Sequence, residues 1–402
     1  MSVTVLESPV AIASSVSVVL LPIMTVVFVG FLIIGMALPV LPLHVHQGLG
    51  LSTFVVGLVA GSQFVAALIS RVWSGHYADS RGAKRTVLVG LLAAVGGGLV
   101  YLVSLRFVGV PGLSATILLL GRALLGAAES FIITGGVTWG LALAGPANAG
   151  KIIAWVGMAM FAALALGAPV GTALYSIGGF ACIAIATALV PLATMLLVAP
   201  LAPIRPYKGA RSRLLKVARV VWLPGFGSAL SAIGFGTMIA FSSLLASERN
   251  WNPVWVLFST FAVSLTAARL FLGHIPDRLG GARVALVSVL IEAAGLALIW
   301  LAPSQLVAVT GAVLVGSGFA LVYPGLGVEA VRRAPPQSRG LAMGAYTAFL
   351  DVALGFGSPA LGLIAGWAGL SSVFLAGALL VLGASIIALR LLYVPAPDDQ
   401  VA

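Results

Sequence analysis

Charge is scarce in this chain. Only 8% of its 402 residues are Asp, Glu, Lys or Arg, and just ten are acidic. There is a single cysteine, Cys182, so no disulfide can form within the chain. The four histidines are too few and too scattered to match the ligand spacing of a metal centre, and no metal is expected. No G-x-x-x-x-G-K-[ST] run is present, which excludes the usual phosphate-cradling loop and ATP as the energy source. No segment gathers a nucleophile, a base and oxyanion donors, so the expectation is a protein that is not an enzyme and needs no cofactor.

Apolar residues fill the space that charge leaves. They make up 61% of the chain, with a mean hydropathy of +1.17, against roughly 45–50% in a soluble domain. Apolar stretches of about 20 residues recur, each long enough to cross a bilayer core as a helix. The 49 glycines suit close helix–helix approach in lipid. The fold class expected is an all-α membrane protein. The net charge of +11 would suggest nucleic acid in a soluble protein. Here its location matters more than its total, and the lipid bilayer rather than nucleic acid is the expected partner. No Lys or Arg precedes the first apolar run, which is read as a retained span rather than a signal peptide.

The pattern predicts twelve spans, at about 18–43, 54–73, 86–106, 113–145, 151–175, 179–201, 220–246, 253–273, 283–303, 305–331, 340–366 and 371–393. A basic polar break at 202–219 divides them into a six-helix bundle over 1–201 and another over 220–402. Of the 21 Lys and Arg, all but five fall in loops on one side if the N-terminus is cytoplasmic. Arg106 and Arg249 lie on the other side, and Arg71, Arg122 and Arg269 lie within spans. The positive-inside rule then puts both termini in the cytoplasm.

One polar cluster occurs twice. Gly75 to Arg85 reads GHYADSRGAKR and Gly273 to Arg283 reads GHIPDRLGGAR, with Arg71 and Arg269 each four residues upstream of its Gly. Both copies share Gly-His-x-x-Asp-x-x-Gly-x-x-Arg, at Gly75, Asp79, Gly82 and Arg85 and again at Gly273, Asp277, Gly280 and Arg283. A second echo is the Pro beside small residues in span 5 (Gly167, Pro169, Gly171) and in span 11 (Pro359). Such parallel repeats are a plan on which many transporters are built.

These motifs identify the chain as resembling the major facilitator superfamily over essentially its whole length. Gly75-x-x-x-Asp79-x-x-Gly82-x-x-Arg85 resembles the signature loop between spans 2 and 3, with a degenerate copy between spans 8 and 9. Leu118 to Glu129 (LLLGRALLGAAE) resembles the span-4 motif built on an intramembrane Arg, often found in proton-driven members. Gly167-Ala-Pro-x-x-Gly171 resembles the span-5 motif of antiporters, departing from it at Ala168 and Thr172. At finer grain the chain resembles the bacterial YhhS/YfcJ-type subgroup of sugar and drug efflux-like permeases. The resemblance implies two six-helix bundles related by a pseudo-two-fold, a monomer, and a place in the bacterial inner membrane. It also implies that the twin loop latches the halves on the cytoplasmic side, through Asp79 and Arg85 and more weakly through Asp277 and Arg283. The other reading of these charges is a turn with topogenic residues. The duplicated His76 and His274 are read as interfacial side chains bonded to loop carbonyls rather than as pH sensors.

An ionisable group at mid-bilayer costs at least about 2.5–3.5 kcal/mol, so each one needs a reason. Glu129, Glu292 and Asp351 are the acids placed well inside spans. Arg122 and Glu129 lie seven residues apart on one face of span 4, about 10 Å along the axis. The resemblance puts that face on the transport path, where Glu129 would load and lose a proton; the competing role is a buried pair bracing span 4. Asp351 is expected to be a second protonation site or a substrate contact, against a structural hydrogen bond. Glu292 is expected to pair with Arg269. Gln63, Thr134, Thr138, Trp139, Tyr323 and Tyr346, with Asn148 and Trp155, are candidate cavity residues, and Pro39, Pro169, Pro324 and Pro359 are expected to mark helix bends. The function expected is proton-coupled export of small organic solutes, drug-like or sugar-like, by alternating access. The alternatives are proton-coupled import or passive facilitation of a sugar or small metabolite, and, less favoured, solute sensing without transport.

Overall fold

The computed structural model describes residues 9–145, 149–200, 214–334 and 339–393. Most of the expected basic link at 202–219, together with Asn148 and the acids Glu7, Asp398 and Asp399, lies outside the described residues. Every regular element among the described residues is helical, as the apolar periodicity requires.

The first half runs through Pro9–Ala37 with its continuation to Gly48 (span 1), Thr53–Arg81 (span 2), Ala83–Ser104 (span 3), Pro111–Ala144 (span 4) and Ala149–Val198. That last helix of 50 residues is two crossings, spans 5 and 6, joined at the non-helical pair Gly178–Gly179. The second half runs through Leu214–Glu248 (span 7), Val256–Leu272 (span 8), Gly281–Leu301 (span 9), Gln305–Arg333 (span 10), Arg339–Ala368 (span 11) and Leu370–Tyr393 (span 12). Among the described residues, ten helices are long and apolar enough to cross a membrane. The doubled helix and the shorter span 8, of 17 residues, bring the crossings to twelve. Exposed Leu196, Phe356 and Ile386 coat the outside, a surface suited to lipid rather than water.

The packing repeats itself. Span 2 lies against span 4 as span 8 lies against span 10, and span 3 against span 4 as span 9 against span 10. Span 1 lies along the span 5 helix as span 7 lies along span 11. The halves meet where span 2 packs on span 11 and where the span 5 helix packs on span 8. Exchanging each span for the one six places on swaps these two contacts. The pseudo-two-fold expected from the duplicated motif is therefore present in the packing, and the fold class is an all-α bundle pair.

The polar twin cluster is less of a loop than its composition suggests. Span 2 stays helical through Gly75 and Asp79 to Arg81, and Ala83 already starts the next helix. The whole turn is Gly82, at φ 88°, a backbone conformation only glycine adopts without strain. The second copy ends span 8 at Leu272, adds a short helix Ile275–Leu279, and turns at Gly280 with φ 91°. Gly75 has open space where a side chain would sit.

The prolines expected at bends fall in two settings. Pro39 falls in the break between Ala37 and Leu41, but Pro169, Pro324 and Pro359 lie inside continuous helices. Gly167 and Gly171 instead let span 5 press on the backbone of span 1 at Gly35 and Met36, where any side chain would overlap main-chain atoms.

Candidate functional site

Span 4 presents Arg122, Gly126 and Glu129 on one stripe, and that stripe faces span 2. Arg122 is fully buried and donates from Nε to the Val59 carbonyl (3.2 Å) and from Nη2 to the Ala60 carbonyl (3.3 Å). One turn on, Gly126 touches the Gln63 carbonyl so closely that any Cβ would overlap it. Glu129 then accepts from Gln63 Nε2 at 2.8 Å. Further along, Ser74 Oγ lies 3.0 Å from both Ser130 Oγ and Thr134 Oγ1. Arg122 and Glu129 therefore do not pair with each other; each holds a different turn of span 2. Seven residues place them on a common face, but only the neighbouring helix decides what that face meets.

Glu129 is also the point where this clamp meets the second half. Asp351 of span 11 and Arg71 of span 2 both lie within its electrostatic reach. Arg71 Nε donates to Asp351 Oδ2 at 2.7 Å, with the Asp351 side chain only 2% exposed and Arg71 27%. Arg71 belongs to the duplicated gate motif by spacing and to span 2 by position; it lies two to three turns inside the helix end, as half of an ion pair between the bundles.

Arg269, the repeat's second upstream arginine, likewise lies within its span. It was expected to pair with Glu292, and it does not. Its guanidinium carbon sits 4.6 Å from the Phe161 ring centroid of span 5 and 5.8 Å from that of Tyr323 in span 10. Among the described residues no carboxylate lies within ion-pair distance of it. A cation over an aromatic face gains about 0.5–2 kcal/mol, less than the roughly 2.5–3.5 kcal/mol for holding it at mid-bilayer. Glu292 accepts from Ser231 Oγ at 2.6 Å, inside the second bundle between spans 7 and 9. Spans 8 and 9 follow one another in the chain but both pack on span 10 rather than on each other, so Arg269 and Glu292 do not meet.

Tyr323 and Tyr346 pack with ring centroids 5.0 Å apart. The Tyr346 hydroxyl donates to the Tyr323 carbonyl (2.7 Å), and the Tyr323 hydroxyl shares a hydrogen bond with Thr347 Oγ1 (2.7 Å). Tyr346 is fully buried, so it braces Tyr323 rather than lining open space. Trp139 likewise lies in the core at 3% exposure, not on a cavity wall, whereas Thr138 is half-buried and Trp155 exposed. Phe161, which no sequence signal singled out, belongs to the site through Arg269. The central cluster is thus Arg71, Glu129, Phe161, Arg269, Tyr323 and Asp351, drawn from spans 2, 4, 5, 8, 10 and 11.

A closed seam runs from this cluster to one end of the molecule. Gln47 Nε2 donates to Ser247 Oγ (2.8 Å), joining the ends of spans 1 and 7. Thr53 Oγ1 donates to the Gly362 carbonyl (2.7 Å). Gly57 and Gly61 of span 2 abut Ser358, Pro359 and Gly355 of span 11 with no room for a side chain. At the opposite end Asp79, Arg85, Asp277 and Arg283, the expected latch charges, are all exposed, as are His76 and His274. Neither Asp79 nor Asp277 makes an ion pair among the described residues.

Comparisons with known proteins agree with this architecture. The Major Facilitator Superfamily profile matches residues 23–256 and again 224–402. An uncharacterized MFS-type transporter of Salmonella typhimurium is 43% identical over 378 residues, covering 94% of this chain and 97% of that protein. The uncharacterized MFS-type transporter YhhS of Escherichia coli K12 is 37% identical over 364 residues, covering 90% of each. Among solved structures, a D-xylose-proton symporter superposes with a TM-score of 0.76 at 15% identity, covering 94% of this chain and 98% of that one. The nucleoside transporter NupG gives 0.70 at 16% identity, covering 94% and 100%. At these identities the two structures speak for the fold alone.

Proposed function

This chain belongs to the major facilitator superfamily, and on that premise we propose that it is a proton-coupled secondary transporter exporting small organic solutes, drug-like or sugar-like, by alternating access. The observation that carries the reading is the junction of Glu129, Arg71 and Asp351. Two carboxyls from opposite bundles stand within reach of one arginine that already bonds one of them. A proton arriving on Asp351 removes the charge that holds Arg71 and loosens the link between the bundles. Glu129, within electrostatic reach of the same arginine, offers a second place for the proton. Coupling then needs no further machinery, since the group that binds the proton is also the group that ties the two halves together.

The two bundles are taken as 1–201 and 220–402, with the basic segment 202–219 between them on the cytoplasmic side, both termini cytoplasmic and the membrane the bacterial inner membrane. The distribution of Lys and Arg supports this orientation. In that frame the Gln47–Ser247 end faces outward and is closed, and the exposed Asp79 and Arg85 face the cytoplasm with their latch released. The structure then corresponds to the inward-facing member of the cycle. Re-engagement of Asp79 and Arg85 would accompany opening of the seam between spans 2 and 11.

The test is solute movement in proteoliposomes under an imposed pH gradient, comparing the parent with Glu129→Gln. The variant keeps an oxygen for Gln63, so folding is expected to survive. We expect gradient-driven transport to fall at least tenfold while exchange of solute without a gradient persists. A Glu129→Gln protein that accumulates solute against its gradient as well as the parent would end the carrier role for Glu129. Accumulation in the direction of proton entry would make the protein an importer instead.

A further inference from the structure

The two upstream arginines occupy equivalent places in the repeat, and the structure gives them different company. Arg71 precedes Gly75 by four residues and Arg269 precedes Gly273 by four. The pseudo-two-fold exchanges the contact between spans 2 and 11 with the contact between spans 8 and 5. Asp351, the partner of Arg71, stands eight residues before Pro359 of span 11. Phe161, beneath the Arg269 guanidinium, stands eight residues before Pro169 of span 5. So Phe161 is the repeat counterpart of Asp351, and a benzene ring takes the position where the other half holds a carboxylate.

Arg269 is left as a cation in the middle of the molecule with no acid beside it. The titratable groups in its field are the Tyr323 and Tyr346 hydroxyls, neither of which is an anion at neutral pH. Asp351 is bonded to Arg71 and Glu129 to Gln63, and neither acid forms an ion pair with Arg269. The guanidinium makes no hydrogen bond among the described residues, and the residue as a whole is half-buried. Its planar fork of N–H groups matches the two oxygens of a carboxylate or phosphate.

We propose that Arg269, seated on Phe161 and Tyr323, is the anchor for an oxyanion on the transported solute, so that the substrate is an organic acid carrying a carboxylate or a phosphate. The solute supplies from outside the charge that Asp351 supplies to Arg71 from within. Binding therefore restores the symmetry of the two bundle-to-bundle contacts, tying span 5 to span 8 through the ligand as span 2 is tied to span 11. This rests on the reading above that the central cluster carries solute, and it narrows that solute to anions.

The purified protein is tested for melting-temperature shifts with matched acid and neutral pairs: benzoate and benzamide, gluconate and glucose, phenyl phosphate and phenol, with inorganic phosphate alongside. The expected result is stabilisation by at least one organic acid and by none of the neutral partners, with the carboxylate and phosphate arms showing which oxyanion is preferred. Arg269→Gln is expected to weaken the apparent affinity at least tenfold and Arg269→Lys to retain part of it. Phe161→Asp is the more telling variant, because it builds the missing counter-ion. It is expected to fold as well as the parent and to lose the acid-induced shift. Stabilisation by the neutral partners equal to that by the acids would overturn the proposal. So would an undiminished shift in a monodisperse Arg269→Gln or Phe161→Asp protein, or no shift with any acid. Flux of the same compounds in proteoliposomes separates the two claims. Movement of only the neutral compounds leaves a transporter without an anion site, whereas acid binding through Arg269 without any flux leaves the site and removes the transport reading.

Discussion

Replacing Asp351 by Asn tests how the ion pair between the halves sets the conformational balance. Asn keeps the size and one acceptor oxygen, so the change is in charge rather than packing. Arg71 bonds Asp351 at 2.7 Å with the carboxylate 2% and the arginine side chain 27% exposed. A hydrogen bond between charged groups contributes about 1.5–3 kcal/mol. The partial exposure of Arg71 and the oxygen that Asn retains place the loss near the lower end, about 1.5–2 kcal/mol. The bond spans the two bundles, so the loss falls on the closed-seam state. At about 1.4 kcal/mol per factor of ten, the ratio of closed to open then drops roughly 10- to 30-fold. A parent that is 99% closed would become roughly 10–25% open. Spin labels at Ser52 and Glu248, both exposed at the closed end, report this by double electron–electron resonance in a Cys182→Ser background. A second, longer distance should grow in, and Arg71→Gln/Asp351→Asn should show no further change beyond the single variants. An unaltered distance distribution in Asp351→Asn, or strictly additive effects in the double variant, would refute the reasoning.

Gly57→Leu should wedge the seam, because a Cβ there already overlaps the Ser358 carbonyl and the Pro359 Cα. Overpacking of this kind costs about 1–3 kcal/mol or more, so the same label pair should move apart and solute flux should fall, with the protein still monodisperse by size exclusion. Glu292→Gln should be mild. Its carboxyl meets Ser231 within the second bundle and no arginine, so flux within about twofold of the parent and a little-changed melting temperature are expected; loss of gradient coupling alone would show that Glu292 carries a proton after all.

The fold was legible from composition and repeat, because hydropathy marks the crossings and a duplicated motif implies matching halves. The misreadings share one cause. Hydropathy stops where a helix leaves the apolar core, but the helix itself does not: Gly75 to Arg81 is polar and helical at once. Reading the polar run as a loop hid how far span 2 continues beyond Arg71, and so how deep the Arg71–Asp351 pair lies. The rotation of each helix was equally silent. Arg122 and Glu129 were placed correctly on one face of span 4, yet that face grips Val59, Ala60 and Gln63 rather than open space. Arg269 and Glu292 sit on spans consecutive in the chain, but both spans pack on span 10 rather than on each other. Phe161 gave no signal because a phenylalanine in an apolar helix is ordinary until its repeat counterpart is known to be an acid.

The claim on which the rest depends is that one central cluster opens in turn to each side of the membrane. Thr347, half-buried and bonded to Tyr323 at the cluster, can be changed to Cys in the Cys182→Ser background and treated with a membrane-impermeant thiol reagent. Right-side-out and inside-out vesicles are compared. Labelling is predicted from both faces, faster from the Asp79 side in the parent and shifted toward the Gln47 side by Asp351→Asn. Labelling confined to one face in every variant and under every gradient would contradict the account.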